Sequence, residues 1–329
     1  MLCVLCCPVY HMKNIIPVVR PEEKFEIEMV SIPDRHKATH PVAKRPTTAT
    51  AAGSGRVRHS PIKSMSFITT KRLIAIITGA SSGIGKATAE YFAEKGYNLS
   101  LNGRNEKALE ATVNNCITKG LSKDSILTTM GDLTDEKVVN SLVERTMEKF
   151  GRTDSLINAA GILINGKVMD CSMQDYDYLM NVNLRSIVQL TRKVIPYLIK
   201  TKGSIVNVSS INGPCPVSFF FSGVTFYCVS KAGLDQFTKC LALELGPEGV
   251  RVNSVNPGVI VTDIHKRSGM TDKDYHEFLD RATKFAALGK TGKAVDIARA
   301  IYFLASDKSS FITGDLLRVD GGRGIMHLR

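Results

Sequence analysis

LIAIITGASSGIGKATAEYFAEKG (73–96) decides the fold of this 329-residue chain. Its first six residues are an unbroken, β-branched-rich run of the kind buried on both faces of a parallel sheet. The glycine-rich turn TGASSGIG (78–85) follows, and KATAEYFAEKG (86–96) then shows helical periodicity and a glycine stop. NLSLNGR (98–104) reads as a second strand and NEKALEATVNNCITKG (105–120) as a second helix. Strand, glycine turn, helix and strand form a dinucleotide-binding unit. Gly79 permits the tight turn, Gly83 lets backbone approach a pyrophosphate, and Gly85 allows close packing of helix on strand. The helix start after Gly83 adds free N–H groups and the positive end of a helix dipole.

Composition narrows what surrounds this unit. With 43% hydrophobic and 22% charged residues the chain is globular overall, and no apolar run is long enough to span a membrane as a helix. Eight Cys in a chain of this length do not make a disulfide framework. The net charge of +12 is uneven. Residues 1–72 hold 12 Lys and Arg against 5 Asp and Glu, and residues 73–329 hold 31 against 26. HPVAKRPTTATAAGSGRVRHSPIK (40–63) has no hydrophobic period and reads as disordered. The expected organisation is a basic leader over 1–70 and one folded domain over 71–329.

The leader admits three readings. Arg- and Thr-rich, acid-poor sequence resembles an organelle-targeting arm, although PEEKFEIE (21–28) places four Glu inside it. It also reads as a plain disordered extension, or as sequence upstream of a natural start at Met65. CVLCC (3–7) lacks further His or Cys at ligand spacing, so no metal site is expected. The leader has neither interleaved aromatics nor a folded module, which argues against nucleic-acid binding. The expected location is cytoplasmic, or mitochondrial if the leader is a targeting arm.

Further motifs follow in a telling order. GDLTD (131–135) closes a third strand, SILTTM (125–130); SLINAAG (155–161) is a fourth strand with a glycine-ended turn. MNVNLRS (180–186) sits in a long helix, and GSIVNVSSING (203–213) is a fifth strand ending in hydroxyls. YCVSK (227–231) opens the helix AGLDQFTKCLALEL (232–245), VRVNSVNPGVIVT (250–262) is a sixth strand ending in N-P-G, and FITGDLLRVDGG (311–322) supplies a seventh. Together with T-G-x-x-x-G-x-G these resemble the short-chain dehydrogenase/reductase family over about residues 71–324, most of all its compact 3-oxoacyl-acyl-carrier-protein-reductase-like branch. The resemblance implies an α/β, Rossmann-type, doubly wound seven-stranded parallel sheet with helices on both faces.

It also implies a hydride-transferring oxidoreductase acting on a carbonyl or secondary alcohol, with Asn183, Ser210, Tyr227 and Lys231 as catalytic residues. The implied cofactor cradle is Thr78, Gly79, Ser81, Ser82, Gly83, Ile84 and Gly85 in the turn, Arg104 after the second strand, and Asp132 and Leu133 after the third. Asn158, Ala159, Ala160 and Gly161 would follow from the fourth strand, and Pro257, Gly258, Ile260 and Thr262 from the sixth. Tyr227 and Lys231 would reach the nicotinamide ribose. Self-association as a homotetramer or homodimer is implied too, through helices near 175–200 and 224–246.

The residues suit that chemistry. Tyr227 and Lys231 are four apart on a helix, so both project from one face. A phenol with an ordinary pKa of about 10 gives up its proton more readily beside an ammonium. Ser210 would hydrogen-bond the substrate oxygen, and Asn183 would hold a water linking Lys231 to solvent. One departure stands out: the family's Ser precedes its Tyr by about a dozen to fourteen residues, whereas Ser210 precedes Tyr227 by 17. An insertion of about four residues within PCPVSFFFSGV (214–224) accounts for it, with Ser218 and Ser222 as fallback hydroxyls. Phe219, Phe220 and Phe221 would then line an apolar substrate pocket or cover a core edge. A displaced Ser210 would instead leave a catalytically impaired dinucleotide-binding regulator.

The second strand ends in Asn102-Gly103-Arg104-Asn105, with no carboxylate for a ribose 2′-hydroxyl. Arg104 offers a fork of donors to a 2′-phosphate. NADP(H) is therefore the expected cofactor, with NAD(H) the alternative.

Overall fold

A computed structural model of the chain describes residues 72–216 and 223–326. The readings of the leader, including CVLCC and the stretch 40–63, fall outside those residues, as do Ser218, Phe219, Phe220, Phe221 and Ser222.

The run quoted first becomes β1 (Ile74–Ile77), with all four residues buried. The chain continues through α1 (Gly83–Glu94), β2 (Asn98–Gly103), α2 (Glu106–Thr118), β3 (Ile126–Met130), α3 (Glu136–Phe150) and β4 (Ser155–Asn158). Next come α4 (Met173–Met180), a π-helical turn (Asn181–Arg185), α5 (Ser186–Thr201), β5 (Ser204–Val208), α6 (Thr225–Leu245) and β6 (Arg251–Pro257). The last third comprises β7 (Ile260–Val261), α7 (Ile264–Arg267), α8 (Asp272–Lys284), β8 (Gly292–Lys293), α9 (Ala294–Ala305) and β9 (Leu316–Val319).

Seven strands pair in parallel in the order β3-β2-β1-β4-β5-β6-β9. The doubly wound sheet is therefore present as expected. Alternation along β1 divides its side chains between two cores. Ala75 and Ile77 join Phe92 of α1, Leu109 of α2 and Ile301 of α9 on one face. Ile76 joins Leu142 of α3, Val194 of α5 and Leu241 of α6 on the other. An unbroken apolar run follows from burial on both faces, since neither set of side chains meets water.

Chain order places the site. From β1 the sheet grows one way through β2 and the other way through β4. The loops leaving β1 and β4 thus diverge and open a crevice at the carboxyl ends of the strands, where ligands of such sheets bind. A separate parallel pair, Ile260–Val261 with Gly292–Lys293, lies outside the main sheet.

Phe92 is fully buried and meets Tyr97 and Tyr302 edge-on, with ring centroids 4.9 and 5.5 Å away. Phe92→Ala is expected to cost about 3–5 kcal/mol of stability by urea unfolding; a loss under about 1 kcal/mol would contradict this packing.

Candidate active site

The turn after β1 is built on missing side chains. Gly79 has φ +64° and Gly83 φ +54°, a region that favours glycine. A Cβ on Gly79 would lie 2.9 Å from Ala160 backbone, and one on Gly85 would collide with the Gly79 carbonyl. Thr78 draws the two walls of the crevice together from behind: its Oγ1 accepts the N–H groups of Ala159 and Ala160 at 3.0 and 3.1 Å. Ser82 starts α1 without a side-chain cap, so the first N–H groups of that helix face the crevice unclaimed by the cap side chain.

The next loops set the far end. Asn102 donates its amide to the Thr129 and Gly131 carbonyls, fixing the end of β2 against β3. Arg104 reaches Asp132 Oδ2 at 3.1 Å and the Tyr178 hydroxyl at 2.9 Å. Burial pulls the Asp132 carboxyl upward, but hydrogen bonds from Thr134 and Arg104 hold it below its ordinary range.

At the near end, Tyr227 and Lys231 lie in the first two turns of α6, which begins at Thr225. Lys231 is buried and its Nζ donates to the Val208 carbonyl at 2.8 Å, 5.7 Å from the centre of the Tyr227 ring. Ser210 and Tyr227 line the same cavity across the 17-residue separation, and the Ser210 side chain lowers the Tyr227 phenol against the effect of burial. The longer connection therefore leaves both residues on the wall of one cavity.

The electrostatics differ from expectation in one respect. Burial pushes the Tyr227 phenol up to about 12, and the Ser210 side chain only partly opposes this. Burial brings Lys231 down to about 8, with Asp235 acting the other way. Lys231 does not draw the phenol down here, because its ammonium is turned to a backbone carbonyl and desolvation of the phenol dominates.

Asn183 sits in the π turn, buried. Its amide donates to the Ile162 carbonyl at 2.9 Å and to Ser230 Oγ at 3.2 Å, while its Oδ1 accepts the Ile162 N–H at 2.8 Å. Both amide hydrogens are thereby used, so the side chain braces the loop after β4 instead of reaching toward solvent. A Cβ on Gly161 would lie 3.4 Å from Asn183 Oδ1 and 3.7 Å from Lys231 Nζ, which marks where the two meet.

A cavity of about 830 Å³ runs between these ends, within the range of small-molecule sites. Its walls include Gly79, Ser81, Ser82, Gly83, Ile84 and Gly85, then Arg104, Asp132, Leu133, Ala159, Ala160 and Gly161. Ser210, Tyr227, Lys231, Pro257, Gly258, Ile260 and Thr262 line it as well. Thr78, Asn158 and Asn183 stand behind the wall: Asn158, for example, is buried and gives its amide to Asn207 Oδ1 at 2.8 Å.

Sequence reasoning missed one wall. The segment from α7 to α8 contributes Ile264, His265, Arg267, Met270, Phe278 and Arg281. Arg267 crosses to Ser82 Oγ at 2.9 Å, and Asn165 reaches Ser268 Oγ at 2.7 Å. The signal was available: Thr271 caps the helix by accepting the Asp274 N–H, and Tyr275, Phe278 and Ala282 recur at helical spacing as its buried face.

An elongated crevice with a side-chain-free turn at an uncapped helix start fits a dinucleotide. A family model described as enoyl-(acyl carrier protein) reductase matches residues 79–323. The chain belongs to the short-chain dehydrogenase/reductase family. It is 38% identical over 250 residues to the 3-oxoacyl-(acyl-carrier-protein) reductase FabG of Thermotoga maritima, covering 76% of this chain and 96% of that protein. A short-chain dehydrogenase/reductase of Caenorhabditis elegans solved with cofactor superposes with a TM-score of 0.73 at 34% identity, covering 78% of this chain and 96% of the other. The glucose dehydrogenase of the same organism gives 0.67 at 35%, covering 78% and 100%. Membership makes the chain an oxidoreductase that exchanges hydride between a nicotinamide cofactor and a C=O or CH–OH group. Among the described residues no helix is long and apolar enough to cross a membrane.

The missed wall carries a pH signature. His265 packs on Phe278 with ring centroids 4.4 Å apart, and burial with the nearby Arg323 lowers it to about 4. Between about pH 6.5 and 4 the unfolded chain binds a proton that the folded chain refuses, so stability is full above that window and falls on acidification. Urea midpoints across this range should fall less steeply for His265→Gln than for the wild type; equal slopes would count against a half-buried imidazole held neutral.

Proposed function

We propose that the chain is an NADP(H)-dependent carbonyl reductase in which Tyr227 is the proton donor. The observation that carries this reading is that Ser210, Tyr227 and Lys231 converge on the cavity that also contains the glycine turn. When bound, the nicotinamide supplies the hydride for carbonyl reduction and accepts it in the reverse direction.

The protein's own residues do the rest. The uncapped N–H groups of Gly83 and Ile84 at the start of α1 would meet the pyrophosphate, and Asp132 and Leu133 would flank the adenine. Lys231, kept cationic at neutral pH, holds the nicotinamide ribose hydroxyls. Pro257, Gly258, Ile260 and Thr262 wall the nicotinamide end. The substrate carbonyl oxygen accepts hydrogen bonds from Ser210 and Tyr227, and the phenol passes its proton to that oxygen as negative charge develops there. A phenol held near 12 keeps its proton at neutral pH and so is poised as an acid, which favours reduction. Asn183 braces the loop that carries Ile162. Both Asn183 amide hydrogens are committed, so a water relay from Lys231 would need a donor other than that amide.

An apolar substrate is supported by Ile162, Leu163, Ile211, Val224, Ile264, Met270 and Phe278 around the near end. The relatives are named for acyl and sugar substrates, which leaves the class open within that description. The domain over 71–329 would assemble as a homotetramer or homodimer in the cytoplasm. Exposed Tyr178 on α4 and Val229 and Leu243 on α6 support such an interface.

Tyr227→Phe should lower the rate of NADPH-dependent reduction by about 10²–10⁴-fold while NADPH binding, read by nucleotide fluorescence, persists. Unchanged activity would remove Tyr227 from the mechanism. The regulator reading instead predicts that the wild type binds NADPH and reduces nothing in a panel of apolar ketones and 3-oxoacyl thioesters.

The cofactor preference rests on Arg104, held at the cavity wall by Asp132 and Tyr178. Arg104→Gln removes a charge-assisted contact and should cut kcat/KM with NADPH by about 10–100-fold, with little change for NADH. A wild type that favours NADH would overturn the preference.

A further inference from the structure

One buried charge has no part in the chemistry above. Asp235 lies one turn beyond Lys231 on the same face of α6 and is 3% exposed. Asn256 of β6 donates to both its oxygens, at 3.1 and 3.2 Å, and the same amide donates to the Ser210 carbonyl at 2.8 Å. Ser254 orients that amide by donating to Asn256 Oδ1 at 2.6 Å. Ser209 donates to the Lys231 carbonyl at 3.3 Å and acts on the carboxyl group to lower its pKa. Space is so tight that a Cβ on Gly213 would collide with Asp235 Oδ2. A carboxylate taken out of water this completely is costly unless paired and hydrogen-bonded.

We infer that Asp235 is a positioning residue for the reaction: a buried counter-charge that holds Lys231 as an ammonium ion and, through Asn256, holds the Ser210 backbone beneath the reacting hydroxyls. The inference rests on the reading of Lys231 and Tyr227 given above. Burial drives Lys231 toward its neutral form and Asp235 opposes it. The charges act on each other in both directions, because Lys231 and Lys239 lower the Asp235 carboxyl that burial raises. Asp235 also raises the Tyr227 phenol, as does Cys228. The other facing groups are uncharged: Asn256 from β6, Ser209 and Ser210 from the loop after β5, and Asn183 from the π turn.

Removing the charge while keeping the shape separates electrostatics from packing. Without Asp235, both Lys231 and Tyr227 lose their protons more easily, so the alkaline limb of kcat/KM for carbonyl reduction should move down by about one pH unit. The experiment measures that profile for Asp235→Asn against the wild type, with the pH dependence of NADPH affinity recorded in a Tyr227→Phe background to isolate Lys231. The expected result is a limb displaced to lower pH, and an affinity that weakens at lower pH than in Tyr227→Phe alone. A merely structural carboxylate would lower the rate at every pH and leave both curves in place, which would overturn the inference. Should Asp235→Asn fail to fold, Gly213→Ala, which pushes the carboxylate out of position without removing it, is read by the same two curves. If Tyr227→Phe retains full activity, the reading of the site fails; if it is inactive and the curves do not move, only the role of Asp235 fails.

Discussion

The close approach of the β1–α1 turn to the end of β4 is the constraint on which the rest depends. Two forces meet there. Thr78, at the end of a strand with no exposed residue, pulls the Ala159 and Ala160 N–H groups inward, while Gly79 and Gly85 clear the space that side chains would fill. Backbone donors left over at the start of α1 then face an open crevice instead of a packed interface. A residue with a Cβ at either glycine would push the two loops apart and spoil the cavity before it altered any contact with a ligand.

The near end obeys a different rule, in which burial costs are used to tune acidity. On one face of α6 a half-buried phenol and a buried amine are both desolvated, so the first is pushed up and the second down. Their proton affinities, ordinarily close, are driven apart by a single cause, desolvation, and the polar groups beneath moderate the result. The Ser254–Asn256–Asp235 chain shows how a sheet strand and a helix share that load.

Much of this was legible in the sequence because the decisive signals are local. An unbroken apolar run, a glycine spacing and a Tyr-x-x-x-Lys motif each express a short-range rule, and β1, α1 and the motif face of α6 follow them. Boundaries moved where tertiary contacts took over: α1 begins at Gly83, three residues before the periodic stretch, and α6 begins two residues before Tyr227. The π turn at Asn181–Arg185 had no signature, since its extra residue is selected by what Asn183 must reach across space. Thr78 and Asn158 match a binding motif but act as braces, a distinction that residue identity alone cannot carry. The α7–α8 wall had a helix cap and an apolar period, yet nothing local says that it folds over the crevice. The direction of the Tyr227 shift likewise depended on desolvation, which spacing does not report.

The 16 residues between Ser210 and Tyr227 carry one more implication. Each hydroxyl is anchored by its own element, Ser210 through Asn256 of the sheet and Tyr227 within α6. The connection between them is free to change length without moving either. Closing a loop a few residues longer adds only about 0.3 kcal/mol of entropy. This stretch is therefore where such a scaffold can explore new neighbours for its pocket at almost no thermodynamic risk, with its reacting groups insulated from the trial.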